Sequence, residues 1–428
     1  MPSTPRAARR SRSLIAAAIV AGLLLLGAAP GTAAAEPAPG VAESSPGVAG
    51  PAPGAADQAA CPAVDQPANP VDESEAPRPG QSAPAPLPVP AQPVGGPNMG
   101  TCGTVVPPGA KAPPAVGVQS YVVADLDSGA VLAARVPHAR LRPASLLKTL
   151  TGLLVAQKLP MDKVVVGTQD DANQEGTRVG IGPGGQYTVD QLLHGMLMAS
   201  GNDIAHALAI QLTGSVPGTV DLMNRTAAQI GALDTRAATP SGLDGPGQSS
   251  SAYDLASIFR LGMQHEPFAQ AVGTKQTVIP GYPPHPPVTV SNDNKILGRY
   301  PGALGGKTGF TDDARHTYIG SAQRDGRRLV VVLMHGEQTP VPMYEQGIAL
   351  LDYGFSLPKD ASVGQLTQPP TGQTVGDFAT PTPSPAAGAS ADTASPATGT
   401  TNWETPVAIG AVVVLGLIVL AARLRRRG

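Results

Sequence analysis

Two long proline-rich stretches restrict what this 428-residue chain can fold into. Residues 36–112 and 361–404 consist mainly of proline, alanine, glycine, threonine and valine, with almost no aromatic residues. Such sequences bury too little apolar surface to offset the entropy lost when they become ordered. We therefore predict that both are extended linkers, disordered across residues 36–112, and that a single folded domain spans residues 113–360.

The two ends of the chain have the features of export and membrane anchoring. Residues 1–35 combine early arginines, an apolar run and a final Ala33-Ala34-Ala35, which is the pattern of a cleaved signal peptide. Residues 405–422 form a second apolar run, followed by a basic tail at 423–428. This predicts a transmembrane helix with its C-terminal side in the cytoplasm. The protein is then a single-pass protein of the cell membrane, with its domain extracytoplasmic, on the cell-wall side.

The cysteines and the charge balance argue against several classes of protein. Cys61 and Cys102 both lie in the first proline-rich stretch, and an oxidising compartment permits a disulfide between them. Neither is near a histidine cluster, so we predict no metal site, and nothing in the sequence implies a cofactor. The net charge is −2 and no basic block lies outside the termini, so we expect no nucleic-acid partner.

Within the domain, apolar periodicity predicts strands at both ends and helices between them. The predicted strands are 119–126, 130–135, 302–310, 316–323 and 327–334. The predicted helices are 145–157, 188–200, 203–212, 252–263 and 341–353, the second opening on a capping box at Thr188. Distant strands that enclose a helical middle predict an α/β (α+β) domain, in which an antiparallel sheet is covered by helices.

Ser145-Leu146-Leu147-Lys148 is the first of three short motifs that could carry chemistry. Because positions three apart share a helix face, the Lys148 amine is predicted to lie beside the Ser145 hydroxyl. A serine needs a neighbouring base to act as a nucleophile, and a helix start favours the negative charge that develops there. Considered alone, the motif is equally typical of a solvated helix lysine.

Two further motifs follow, Ser200-Gly201-Asn202 between helices and Lys307-Thr308-Gly309 on a strand. A loop serine can relay a proton and an amide can bind a substrate carbonyl, although a plain helix-to-helix turn has the same form. A strand lysine and hydroxyl can hold a carboxylate, and glycine admits a substrate backbone. The following amide, that of Phe310, can donate to an oxyanion. A surface strand with a turn glycine would also give this third motif.

Together and in this order, the motifs resemble the S-x-x-K, S-x-N and K-T-G signature of the penicillin-binding and serine β-lactamase superfamily. The text around them, at 143–148, 198–203, 241–244 and 306–311, looks like its low-molecular-mass D-alanyl-D-alanine carboxypeptidases. The resemblance covers about residues 115–355. It implies a β-lactamase/transpeptidase-like fold with an all-helical subdomain. It also implies removal of the terminal D-Ala from peptidoglycan stem peptides through an acyl-enzyme, with β-lactams as covalent inhibitors.

The resemblance also implies a role for each motif residue. Ser145 would be the nucleophile, Lys148 its base and Ser200 a proton relay. Asn202 would position the substrate peptide, and the amides of Ser145 and Phe310 would form the oxyanion hole. The residues implied to bind substrate are Asn202, Lys307, Thr308, Gly309 and Phe310, with Lys307 and Thr308 holding its terminal carboxylate.

Two other functions stay open at this point. A class A serine β-lactamase needs a glutamate base between the second and third motifs, and no convincing counterpart is present. A non-catalytic wall-binding or β-lactam-sensing module is disfavoured because no motif residue is substituted. After the third motif, residues 313–316 depart from the family pattern. There we predict Arg315 in a solvated turn and His316 in a strand.

Overall fold

The computed structural model describes residue 61 and residues 63–368. The predicted signal peptide, the transmembrane segment and the basic tail lie outside these residues. Among the described residues, none of the helices is long and apolar enough to cross a membrane.

The central feature is an antiparallel sheet made from distant parts of the chain. The strands of the described region are β1 (Thr104–Val105), β2 (Val118–Asp125), β3 (Ala130–Arg135), β4 (Val164–Val166), β5 (Gln186–Thr188), β6 (Gln276–Ile279), β7 (Val288–Ser291), β8 (Ala303–Thr311), β9 (Arg315–Arg324), β10 (Arg327–Gly336) and β11 (Gly364–Gln365). Seven of them form the main sheet in the order β1-β3-β2-β10-β9-β8, with β11 also paired to β3. The predicted antiparallel sheet is therefore confirmed, with all five predicted strands in it.

The helices form two groups around this sheet. They are α1 (Lys148–Lys158), α2 (Gln169–Ala172), α3 (Val189–Ala199), α4 (Asn202–Thr213), α5 (Val216–Gln229), α6 (Ala252–Gly262), α7 (Glu266–Gly273) and α8 (Met343–Ser356). The capping box is present: the Thr188 side chain accepts a hydrogen bond from Gln191 N, and the Gln191 side chain accepts one from Thr188 N. Three helices, α2, α5 and α7, and the small hairpins β4–β5 and β6–β7 were not predicted.

Both faces of the sheet are buried, which explains why its central strands are continuously apolar. On β2, Val122 packs in the core cluster that contains Phe259 of α6. Its neighbour Val123 points to the other face, into the cluster that contains Leu350 of α8. Alternate residues of a strand thus contact helices on opposite sides. Helix α1 lies inside the helical group, where every residue from Lys148 to Val155 is buried.

The prediction of a disordered linker over residues 36–112 is wrong for the part that the structure describes. Residues 63–101, which we call the strap, run along the surface of the domain with little regular secondary structure. A disulfide between Cys61 and Cys102 joins the two ends of this segment. Beyond it, β1 pairs with β3. At the other end of the domain β11 also pairs with β3, so the folded unit extends past residue 360.

Two arginines of the domain, one of them buried, hold the strap in place. Arg140, only 1% exposed, donates to the carbonyls of Asp65 and Pro88, each at 2.8 Å, and to Asp234 Oδ1 at 3.1 Å. Arg236 donates to Ala85 O at 2.8 Å. The strap therefore satisfies cations of the domain with its backbone carbonyls. The low apolar content of the strap gives no sign that it is ordered in this way. The Cys61–Cys102 disulfide also stabilises it, because it lowers the entropy of the unfolded segment.

Replacement of Arg140 by alanine is expected to lower the free energy of unfolding by about 3–5 kcal/mol, because the strap carbonyls and Oδ1 of the buried Asp234 carboxylate lose their donor, and His138 contacts only Oδ2. Chemical denaturation measures this, and limited proteolysis should show earlier cleavage within the strap. The control is Arg225→Ala, at an exposed position, which should change stability by no more than about 0.5 kcal/mol. Equal stability of the two variants would contradict the proposed anchoring.

Candidate active site

Ser145 lies in a single 3-10 turn, Ala144–Leu147, immediately before α1 begins. Ala144 has φ 47°, a left-handed conformation that is uncommon for a residue with a side chain. Gly242 packs directly against this turn, and a Cβ at that position would lie 2.0 Å from the Ala144 carbonyl oxygen. Ser145 therefore lies on a strained turn against which the Gly242 loop packs.

Lys148 is fully buried, and three oxygen atoms surround its amine. Nζ lies 2.7 Å from Asn202 Oδ1, 2.7 Å from the Ser241 carbonyl and 3.0 Å from Ser145 Oγ. Burial, followed by the charge of Lys307, holds the pKa of Lys148 well below its ordinary value. A neutral amine donates its two hydrogens to Asn202 and Ser241, which only accept. Its lone pair then faces the Ser145 hydroxyl, as a general base requires.

Ser200 ends α3 and Asn202 begins α4, with Gly201 between them. Ser200 has φ 62°, so its position at the helix end is also left-handed. A Cβ on Gly201 would lie 2.8 Å from Asp203 Oδ1, which leaves no room for a side chain there. Asn202 uses both ends of its amide inside the protein, since Oδ1 faces Lys148 and Nδ2 donates to Glu175 O at 2.6 Å.

The Lys-Thr-Gly motif lies on β8, directly beside the Ser145 turn. A Cβ on Gly309 would lie 2.9 Å from the Ser145 nitrogen, so only glycine permits this approach. Thr317 Oγ1 on the adjacent strand donates to Pro143 O at 3.0 Å and fixes the turn to the sheet. Lys307 is 1% exposed, and burial lowers its pKa to about 8. Its amine donates to Thr308 O at 2.7 Å.

The predicted site residues divide between a cleft and the layer behind it. A cleft of about 510 Å³ is bordered by Ser145, Ser200, Thr308, Gly309 and Phe310. Lys148, Asn202 and Lys307 are buried and do not border this cleft. All eight predicted residues therefore lie in one region of the fold. Five of them line the cleft, and the other three are buried behind its lining.

Residues 313–316 lie at the far end of this motif. Arg315 begins β9 with φ 53° and pairs at the surface with Glu337 at 3.0 Å. His316 is a strand residue, as predicted, and it also borders the cleft. Its ring stacks on Phe310 with 4.6 Å between centroids. The aromatic pair therefore forms one wall of the cleft.

The backbone supplies two site contacts that side-chain motifs cannot reveal. The Ser241 carbonyl accepts from Lys148, and the Glu175 carbonyl fixes the Asn202 amide. Every residue has a carbonyl group, so its use in a site depends on the path of the loop. The only signal in the sequence is Ser241-Gly242, because Gly242 has φ +81° and thereby allows that path.

A serine with a buried lysine one helical turn away, beside a Lys-Thr-Gly strand, is the arrangement of the serine enzymes of penicillin-binding fold. Residues 108–338 match the peptidase S11 family of D-alanyl-D-alanine carboxypeptidases. The chain belongs to this family and is a serine peptidase.

Curated relatives agree with this assignment. The D-alanyl-D-alanine carboxypeptidase DacB2 of Mycobacterium tuberculosis is 44% identical over 266 residues, which are 61% of this chain and 90% of the relative. DacF of Bacillus subtilis is 32% identical over 243 residues, 56% of this chain but only 62% of the relative. The similarity to the second relative therefore covers less than two thirds of its length.

Solved structures show the same fold. A D-alanyl-D-alanine carboxypeptidase from Mycobacterium tuberculosis H37Rv has 42% identity and a TM-score of 0.59, covering 61% of this chain and all of the solved one. A variant of the Streptomyces K15 DD-transpeptidase, at 24% identity, has a TM-score of 0.54 over 57% of this chain. The second likeness concerns the fold alone.

Replacement of Lys148 by methionine is expected to slow acylation of Ser145 by roughly 10²- to 10⁴-fold, because the general base is lost. Time-resolved labelling with a fluorescent penicillin measures the rate. In the unchanged protein the rate should decline as pH falls through the pKa of the lysine, and this decline should lie below the pH at which an ordinary lysine becomes charged. Lys158→Met, at the other end of α1, is the matched control and should leave labelling unchanged. Normal labelling of Lys148→Met would exclude this base.

Proposed function

We propose that the domain removes the terminal D-Ala of peptidoglycan stem peptides through an acyl-enzyme on Ser145. The observation that carries the proposal is the Lys148 amine, buried and 3.0 Å from Ser145 Oγ, with two acceptor-only partners that direct its lone pair to the hydroxyl. This arrangement activates a serine without a histidine.

The reaction begins when Ser145 Oγ attacks the carbonyl carbon of the penultimate D-Ala and its proton passes to Lys148 Nζ. The amides of Ser145 and Phe310 donate to the resulting oxyanion. The close approach of Gly309 to the Ser145 nitrogen supports this pairing. The carbon–nitrogen bond then breaks, and the leaving amine of the terminal D-Ala takes a proton relayed through Ser200. Water hydrolyses the ester by the same path in reverse and frees Ser145.

A carboxypeptidase must recognise the terminal carboxylate of its substrate. Thr308 borders the cleft and offers a hydroxyl to this carboxylate, while the buried Lys307 adds positive charge behind it. With a pKa near 8, Lys307 is cationic at neutral pH. A β-lactam has a carboxylate at the matching position and an amide carbonyl for Ser145 to attack. We therefore expect β-lactams to acylate Ser145 and block the reaction.

The test uses a diacetyl-Lys-D-Ala-D-Ala tripeptide, with free D-alanine as the measured product. We expect release that penicillin abolishes and that falls by at least about 10³-fold in Ser145→Ala, because the nucleophile is lost. The control is Ser249→Ala, a buried serine that does not border the cleft, and it should retain activity. No release by the unchanged protein, despite a penicillin adduct on Ser145, would contradict carboxypeptidase activity.

We further propose that the protein is exported and anchored in the cell membrane, with the catalytic domain on the cell-wall side. The apolar runs at 1–35 and 405–422 support this topology. The Cys61–Cys102 disulfide supports it as well, because disulfides persist in oxidising compartments. A membrane position also suits an enzyme whose substrate is attached to the cell wall.

Removal of residues 405–428 is expected to move the protein from the membrane to the soluble fraction, since the anchor is lost and the domain is unchanged. Fractionation of cells expressing either form, followed by penicillin labelling, measures the distribution. As a control, removal of the basic tail 423–428 alone should leave most of the protein in the membrane. Membrane retention of the form ending at residue 404 would contradict anchoring by this segment.

A further inference from the structure

The strap makes two polar contacts close to the reacting serine. The Glu75 carboxylate binds the Arg142 guanidinium through both of its oxygens, with Nη2 to Oε2 at 3.0 Å. The amide of Val71 donates to Asp313 Oδ1 at 2.6 Å. Arg142 and Asp313 are both less than 10% exposed, so solvent weakens these contacts less than it weakens contacts at the surface.

These contacts fall on both segments that form the oxyanion hole. Arg142 lies three residues before Ser145, and Asp313 lies three residues after Phe310. The stretch of strap from Val71 to Glu75 therefore binds the segment that carries one donor and the segment that carries the other. A change of a few tenths of an ångström in their separation would misplace a donor, and donors act only when already in position.

The charges around Arg142 show what Glu75 contributes. The guanidinium is influenced by three carboxylates, those of Glu75, Asp313 and Asp244. Burial raises the pKa of Asp244 to about 6. Within the part of the chain that the structure describes, Asp244 Oδ1 is buried and accepts no hydrogen bond. In a variant with a neutral side chain at position 75, this oxygen is available as a competing partner for Arg142.

The strap holds Glu75 at a defined place. Its ends are joined by the Cys61–Cys102 disulfide, and Arg140 binds carbonyls on both sides of Glu75, those of Asp65 and Pro88. Close to Glu75, Ala76 N donates to Glu73 O at 2.9 Å and closes a turn. The carboxylate is thus part of an ordered segment, which a positioning role requires.

We propose that Glu75 is a positioning residue for acylation: through Arg142, and together with the Val71 amide on Asp313, it fixes the separation of the two oxyanion donors. The proposal rests on the proposed function, because it concerns the same acyl-enzyme. It gives the strap a role in the chemistry in addition to its role in stability.

The test compares Glu75→Gln with Glu73→Gln in the full chain under oxidising conditions. The two variants carry the same chemical change two residues apart, and Glu73 is exposed. Stopped-flow acylation by a fluorescent penicillin separates the dissociation constant, the rate constant at saturation and the fraction of protein that reacts. For Glu75→Gln we expect the rate constant to fall about tenfold, less than the roughly 10²- to 10³-fold that loss of a donor costs. The dissociation constant and the reactive fraction should change less than twofold.

The pattern of results separates positioning from simple destabilisation. Partial unfolding would lower the reactive fraction and leave the rate constant of the folded remainder unchanged, and that result would overturn the proposal. Equal rate constants for Glu75→Gln and Glu73→Gln would overturn it too. A double replacement, Cys61→Ser with Cys102→Ser, should reproduce the slower acylation by releasing the strap. A slow double variant beside a normal Glu75→Gln would assign the effect to another residue of the strap. If the unchanged protein is not acylated at all, the proposed function itself fails.

Discussion

The burial of one amine, that of Lys148, determines how the rest of the site is arranged. A charged ammonium without water is costly, so an enclosed lysine shifts toward its neutral form. When the amine is neutral, its two hydrogens go to the acceptors Asn202 Oδ1 and the Ser241 carbonyl, and its lone pair is directed toward Ser145. Each acceptor must itself be fixed, the first by the Glu175 carbonyl and the second by the loop that packs on Ala144. The strained turn, the second motif and the Ser241 loop therefore all serve to hold the Lys148 amine in one orientation.

The charged groups of the motifs lie deeper than the uncharged groups that line the cleft. The surface that meets substrate carries hydroxyls, a glycine and an aromatic wall, whereas both lysines of the motifs are buried behind it. Their proximity matters because the charge of Lys307 helps to keep Lys148 neutral. In the proposed mechanism the two lysines have different tasks: Lys148 is the base, and Lys307 keeps enough charge to attract a carboxylate.

Patterns within a few residues were sufficient to predict the five main strands, the helix start at Ser145 and the capping box at Thr188. The three-residue spacing predicted that Lys148 lies beside Ser145, whereas the grouping of all eight site residues came from the resemblance of the three motifs to a known family. The strap was missed for the opposite reason. Its stability depends on Arg140 and Arg236, residues far away in the sequence, and on a disulfide whose formation the sequence only permits. Helices α5 and α7 are amphipathic but were missed, because each has a proline in its first turn, Pro217 and Pro267, and proline is also typical of loops.

The pairing of β2 with β10 affects the order in which the domain can fold. Val122 is opposite Val332, so the first strands made by the ribosome stay without their central neighbour until most of the domain has been synthesised. Until then Ser145 and Lys148 exist on one piece of chain, while the strand that completes their site has no place to dock. Assembly of the site therefore depends on a pairing between strands that are far apart in the sequence, and this pairing comes late in the folding of the domain.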